Sequence, residues 1–182
     1  MIELLRKRRS IRCYTDEPID RATVDLLIEA LLRAPSSRNI NPWEFIVVDD
    51  RDQLVQLSRA KEHGSDFLKQ AQLGIVVCAD ARKSDVWVED CSIASILVQM
   101  TAQSRGLGSC WIQIRKRPHD TTATAEEYIR KILGLPEHLR VLSMVSIGLP
   151  AEQRKPLGAD ELPCHKVRHN RYDEPWQPSG RP

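Results

Sequence analysis

The chain reads as one α+β sandwich of three layers, with about four strands in a single sheet and helices on its faces. Three observations lead there. From Val88 to Ser104 there is no Gly or Pro, and apolar or small residues lie nearly all round, as in a buried helix. Directly after it, Gly106 and Gly108 turn the chain into SCWIQI (109–114), a short strand pattern. Along the rest of the chain the patterns run helix, helix, strand, helix, strand, long helix, strand, helix, strand, arm. With 182 residues, 41% of them hydrophobic, the chain can bury one core and still carry polar extensions.

Taken in order, Ile2–Arg8 forms a short amphipathic helix at best. After the turn TDEP (15–18), Asp20 caps a helix whose stripe is Val24, Leu27, Ile28, Leu31 and Leu32; Thr23 is too short to complete a capping box. Pro35 ends it. PSSRNINPW (35–43) is an irregular polar loop, either a well-bonded connection or a ligand loop of hydroxyls and amides. EFIVV (44–48) is a strand, 49–60 a helix behind an acidic cap, and KEHGSD (61–66) a loop placed where a lid could be. Phe67–Ala71 makes a helical turn. GIVVCA (74–79) is a continuous apolar run, typical of a strand covered on both faces. The central helix carries an uncharged polar strip, Ser92, Ser95, Gln99 and Gln103, suited to hydrogen bonds across a helix contact within or between chains. RKRPH (115–119) reads as a solvated loop. Thr122 or Thr124 caps a helix that ends at Gly134, and LRVLSMVSIGL (139–149) is the last strand. The Pro-rich remainder is an extended arm.

Composition narrows the function. A net charge of +2 gives no global case for nucleic acid. The five Cys are scattered, odd in number and mostly within apolar patterns, as for reduced thiols in a cytoplasmic protein. Met1–Leu5 is too short for a signal-peptide core, and no run reaches the roughly 18 apolar residues of a membrane span. There is no P-loop, GxSxG or HExxH, and GLG (106–108) follows a helix where a dinucleotide turn would follow a strand. His165 and His169 lack a second ligand pair for zinc. Five of the seven residues from Arg6 to Arg12 are basic, with Ser10 among them. That cluster reads equally as a solvated patch or nucleic-acid arm, or as an anion site in which guanidinium forks and a hydroxyl hold a phosphate. Basic anion sites without an obvious nucleophile suggest that a cofactor carries the chemistry.

Several stretches together resemble the nitroreductase family of FMN-dependent oxidoreductases. They are RRSIRCY (8–14), APSSRNINPWEFIVV (34–48), GIVVCAD (74–80), EDCSIASILVQMTAQSRGLGSCWIQ (89–113) and SIGLPAE (146–152), in the family's order. The resemblance covers roughly residues 1–155 and points to the compact, single-domain branch. It implies an α+β fold with a mostly antiparallel sheet and helices on both faces. It also implies an intertwined homodimer with two FMN sites at its interface, and an arm over 156–182 packed on the partner. By the same resemblance Arg8 and Ser10 hold the FMN phosphate and ribityl chain, Arg9 contributes through its backbone, and Arg12 lies at the pyrimidine end of the flavin. Pro35, Ser36, Ser37 and Asn39 are the loop laid against the partner's flavin. Gly108, Ser109, Cys110 and Trp111 turn their backbone toward the other side of the flavin from the partner's loop, and Arg154 or Lys155 supplies a last phosphate contact.

The chain departs from the family at Gln113, where many members carry Gly, which leaves a side chain able to enter the pocket. The implied activity is transfer of a hydride from NADH or NADPH through flavin N5 to a nitroaromatic, a quinone or a related small-molecule acceptor. Two alternatives stand beside it: a specialised flavin reaction on the same scaffold, such as dehalogenation or ring oxidation, and a non-enzymatic nucleic-acid-binding protein with a basic arm.

Overall fold

In the computed structural model, which describes residues 1–177, four strands form one antiparallel sheet. They are β1 (Trp43–Val48), β2 (Leu73–Asp80), β3 (Gly108–Gln113) and β4 (Leu139–Gly148), in the order β1-β2-β4-β3. β2 is buried along its whole length and β4 at every position but Arg140, which explains their unbroken apolar runs: both are central and covered on both faces. On one face, α2 (Arg21–Leu32) and α4 (Trp87–Ser104) pack with Leu27, Leu31, Ala94 and Val98 over Ile75, Val77, Val145 and Ile147. On the other, α3 (Arg51–Ser58), a 3-10 turn over Asp66–Gln70 and α5 (Ala125–Leu133) pack with Leu54, Leu57, Leu68 and Ile129 over Val76, Cys78, Ile112 and Met144. The three-layer α+β sandwich is therefore present, with helices on both faces.

The helix boundaries follow their caps. Asp20 accepts from the Thr23 amide at 2.9 Å. Thr23 is too short to reach back to the backbone, but it turns its hydroxyl onto the same carboxylate at 2.7 Å. Thr124, not Thr122, caps α5, in a reciprocal capping box with Glu127; Thr122 instead bonds Asp120 at 2.8 Å. α4 stops at Arg105, and Gly106 takes the left-handed conformation (φ +76°) that releases the chain into β3.

Two expectations about α4 are corrected. Its burial is not all-round in the single chain: Ile93 and Ile96 are 39% and 40% exposed. Inside the chain its polar strip does not reach across a helix contact either. Ser92, Ser95 and Gln99 bond their own helix, at Val88 O (2.7 Å), Cys91 O (2.8 Å) and Ser95 O (3.2 Å). Short polar side chains on a helix reach the carbonyl one turn back when no neighbour offers a partner. α1 (Ile2–Lys7) forms but buries none of its residues. Beyond β4 the chain runs as an extended arm with short 3-10 turns at Ala159–Glu161 and Cys164–Lys166. The last five residues of the expected arm lie outside the described residues. No helix among those described is long and apolar enough to cross a membrane.

Candidate active site

The segment that follows α1 is strapped across the end of the sheet. Ser10 bridges Ser109 in parallel, and the Ile11 amide donates to Ser109 O at 3.0 Å. Tyr14 bridges Pro150, and the Thr15 amide donates to Leu149 O at 2.9 Å. What lets the strap lie so close is a pair of glycines facing each other across the strands, Gly108 on β3 and Gly148 on β4. A Cβ on Gly108 would stand 2.7 Å from Ile11 Cγ2, and one on Gly148 2.9 Å from Tyr14 Cδ1. Ile11 and Tyr14 are buried in the space the missing side chains leave. The Tyr14 hydroxyl anchors the far end, 2.6 Å from Ile11 O and 2.7 Å from Ser146 Oγ. Its burial pushes the phenol well above the ordinary range, so it stays protonated.

Anchoring Ile11 and Tyr14 leaves the alternate residues facing out. Arg8, Arg9 and Ser10 are half-buried and Arg12 is exposed. Arg9 donates to the Lys155 carbonyl. Arg12 sets its guanidinium 5.7 Å from the centre of the Phe67 ring. Among the described residues, none of Arg8, Arg9, Arg12 and Lys155 is paired with a carboxylate side chain. Cys110 lies beneath them; burial pushes its thiol up, and Arg12, Ser10 and Arg8 pull it back in part.

Glu152 is the carboxylate that sequence reasoning passed over, although it stands in the quoted SIGLPAE stretch. One oxygen accepts the amides of Arg12 (2.6 Å) and Cys13 (3.2 Å); the other meets Arg154 Nε at 2.6 Å. Glu152 thus ties the root of the arm to the strap and occupies Arg154, which leaves Lys155 as the cation of the expected tail pair without a carboxylate partner among the described residues. The Arg12 amide, and after it Arg154, hold the Glu152 carboxyl below the usual range.

Ten of the expected site residues therefore converge: Arg8, Arg9, Ser10 and Arg12 on the strap, Gly108, Ser109, Cys110 and Trp111 on β3, and Arg154 and Lys155 at the arm. Trp111 joins by its backbone only. Its indole packs on the α4 side, and its Nε1 donates to Gln113 Oε1 at 3.0 Å. Gln113 in turn donates to Arg115 O at 3.0 Å. Within the single chain its side chain is thus bonded along β3.

The remaining four, Pro35, Ser36, Ser37 and Asn39, lie elsewhere. The Ser37 amide donates to Asp90 in the first turns of α4 at 2.8 Å, whereas the strap docks just past the last turn. From Asp90 to Ser104 α4 rises about 21 Å, so the two groups lie toward opposite ends of this helix.

The helical turn that follows the candidate lid loop borders the cluster. Phe67 contacts Arg12, and Lys61 helps line a cleft of about 630 Å³ with Asp66, His119 and Asp120. Burial, with Arg117 nearby, lowers Lys61. RKRPH is more ordered than a solvated loop: Arg115 stacks on Trp87 at 5.7 Å, and His119 on Tyr128 at 4.0 Å.

Known proteins share this fold. The family described as the Nitroreductase family matches residues 5–64 and 50–149. The structure superposes on an FMN-dependent nitroreductase of Clostridium difficile R20291 with a TM-score of 0.93 and 44% identity, over 94% of this chain and 100% of that one. An Archaeoglobus fulgidus protein, provisionally named NADH dehydrogenase/NAD(P)H nitroreductase, is 37% identical over 88% of this chain and 91% of its own. The Bacillus subtilis FMN reductase (NAD(P)H) is 29% identical over 96% of this chain and 76% of its own. Fold and relatives define an oxidoreductase. The chain belongs to the nitroreductase family.

Proposed function

We propose that the protein is an FMN-dependent oxidoreductase that uses NADH or NADPH to reduce a small acceptor such as a nitroaromatic or a quinone. The observation that carries this is the strap. It gathers Arg8, Arg9, Ser10 and Arg12 into one cationic cluster beside the β3 backbone, with Lys155 close by and no carboxylate paired to these cations among the described residues. A phosphate monoester carries about −1.5 to −2 at pH 7 and takes hydrogen bonds from fork-shaped guanidiniums and a hydroxyl; the donor set fits it. Arg8, Ser10 and Lys155 would hold the phosphate end, and Arg12 would place a cation along the ring system. When bound, FMN supplies the passage of a hydride from the nicotinamide to the acceptor.

The chain's own residues bind and orient. The glycine pair sets the depth of the strap, Glu152 fixes the amides of Arg12 and Cys13, and Phe67 buttresses the Arg12 guanidinium. The loop Pro35–Asn39 is held near the opposite end of α4 from this cluster in the same chain. It therefore serves the site of a second copy, in a homodimer whose contact includes the exposed Ile93 and Ile96 of α4. In this reading residues 1–155 form the FMN-binding unit, and 156–182 an arm over the partner. The favourable position for a cation next to a reduced, anionic ring is the role assigned to Arg12.

The test is the visible spectrum of the protein with FMN, before and after anaerobic addition of NADH or NADPH, for wild type and Arg12→Ala. The expected result is a bound-flavin spectrum that bleaches in wild type, with weaker binding or slower bleaching in the variant and an intact dimer. No flavin binding by wild type would refute the proposal. Turnover only with halogenated or ring-oxidisable substrates would shift it to a specialised flavin reaction.

A further inference from the structure

Asp90 is a buried carboxylate, 2% exposed, that the binding cluster does not use. One oxygen accepts the Ser37 amide at 2.8 Å, and the other lies 3.4 Å from Ser84 Oγ. The loop it holds is unusual. Arg38, Asn39 and Asn41 all take positive φ, at 53°, 55° and 51°. Asn tolerates that conformation, but Arg does so only under constraint. The other side-chain ties of the loop are the Asn41 amide to Ser36 Oγ at 2.8 Å, Ser36 Oγ to Asn41 Oδ1 at 2.7 Å, and an exposed Arg38–Asp85 pair at 3.0 Å. The first two are internal to the loop, and an exposed ion pair is weak. The buried, charge-assisted bond from Asp90 is what joins the loop to the rigid frame of α4.

We propose that Asp90 is a positioning residue. Its carboxylate pins the Ser37 amide, and so fixes Pro35–Asn39 in the shape that completes the cofactor site of a second copy of the chain. This rests on the composite FMN site proposed above. Loss of the pin therefore acts in trans, on the site built around the strap of the partner chain.

The experiment is FMN titration by flavin fluorescence on dimeric protein. Asp90→Ala is expected to weaken FMN binding about tenfold or more, and Asp90→Asn, which keeps an oxygen for the Ser37 amide, to restore most of it. Ser37→Pro removes the same bond from the loop side, should Asp90→Ala fail to assemble. Ser36 already has φ −135° and ψ 157°, the extended conformation a following proline requires, and position 37 opens a 3-10 helix.

Mixed dimers of one Arg8→Ala chain and one Asp90→Ala chain, isolated by two tags, decide the direction. Action in trans places both lesions in one site and leaves the other intact, giving one full-affinity site per dimer. A mixed dimer with no full-affinity site, wild-type affinity in Asp90→Ala, or equal losses in the Ala and Asn variants would each overturn the role of Asp90. Normal FMN binding by the Arg8→Ala homodimer would instead overturn the composite site, and the pin with it.

Discussion

Gly108→Ala makes the sharpest test of how the binding strap is seated. The new methyl would stand 2.7 Å from Ile11 Cγ2, 2.8 Å from Ile11 Cβ and 3.0 Å from Ile11 Cγ1. Carbon pairs rest at about 3.5–4.0 Å, so the strap must lift by several tenths of an ångström or more. Overpacking of this kind costs about 1–3 kcal/mol. For a chain of this length each kcal/mol lowers Tm by about 2–4 °C, which puts the loss at about 2–12 °C.

Truncating Ile11 does not relieve it, because the Cβ at 2.8 Å is fixed by the backbone and survives in Ile11→Ala. The double variant is therefore expected to be less stable than either single one, not rescued. Since Ser10 and Arg12 flank Ile11, FMN affinity should fall with Tm. The assay is thermal unfolding of FMN-free protein, together with FMN titration. A Gly108→Ala protein with wild-type Tm and affinity, or a rescue by Ile11→Ala, would refute the argument.

Other perturbations separate scaffold from site. Glu126 receives both Nε and an Nη of Arg140 (2.5 and 2.8 Å) and the Val141 amide (3.1 Å), joining α5 to β4 away from the strap. Glu126→Ala should cost about 1.5–3 kcal/mol in urea unfolding and leave FMN affinity unchanged; a loss of affinity would contradict that separation. Glu152 has a lowered folded pKa, so its stabilisation is complete above the unfolded carboxyl value of about 4.3 and fades as pH falls through the lower folded value. Wild type should lose its margin over Glu152→Gln below about pH 4, and a gap constant from about pH 3 to 7 would exclude the effect. Thiol titration of the native protein should find Cys13 and then Cys164 reactive. Cys78, Cys91 and Cys110 are buried with raised pKa values, Cys91 to about 12, and should respond only on unfolding.

Local chemistry made much of the fold legible. α4 begins one residue before its predicted start and ends on the predicted Ser104, because a Gly- and Pro-free apolar run has one solution and Gly106 ends it. β2 and β4 were readable for the same reason. The cap of α5 was narrowed to two threonines, and only the geometry of Glu127 selects Thr124. What composition and periodicity could not supply was pairing at long range. Gly108 and Gly148 each look like strand ends; that they face each other and make room for Ile11 and Tyr14 depends on register. Glu152 and Asp90 look like loop and helix carboxylates, and their meaning comes from amides 140 and 53 residues away. The expected cofactor-binding residues came from the family's motifs, and the structure divides them into two groups that the linear pattern could not separate.

The strap also sets when the site can exist. The Arg12 amide meets a carboxylate 140 residues later in the chain, and Arg9 meets a carbonyl 146 residues later. At about 5–20 residues per second of synthesis, the basic segment leaves the ribosome about 7–28 s before Glu152 does. Throughout that interval the chain's most cationic stretch has neither its glycine platform nor its carboxylate anchor. Closing so long a loop is among the slowest events available to a chain of this size. With the FMN site proposed at the strap, cofactor capture is a late act of folding, and a ribosome-bound chain arrested before β4 should carry no flavin, however complete its early helices are.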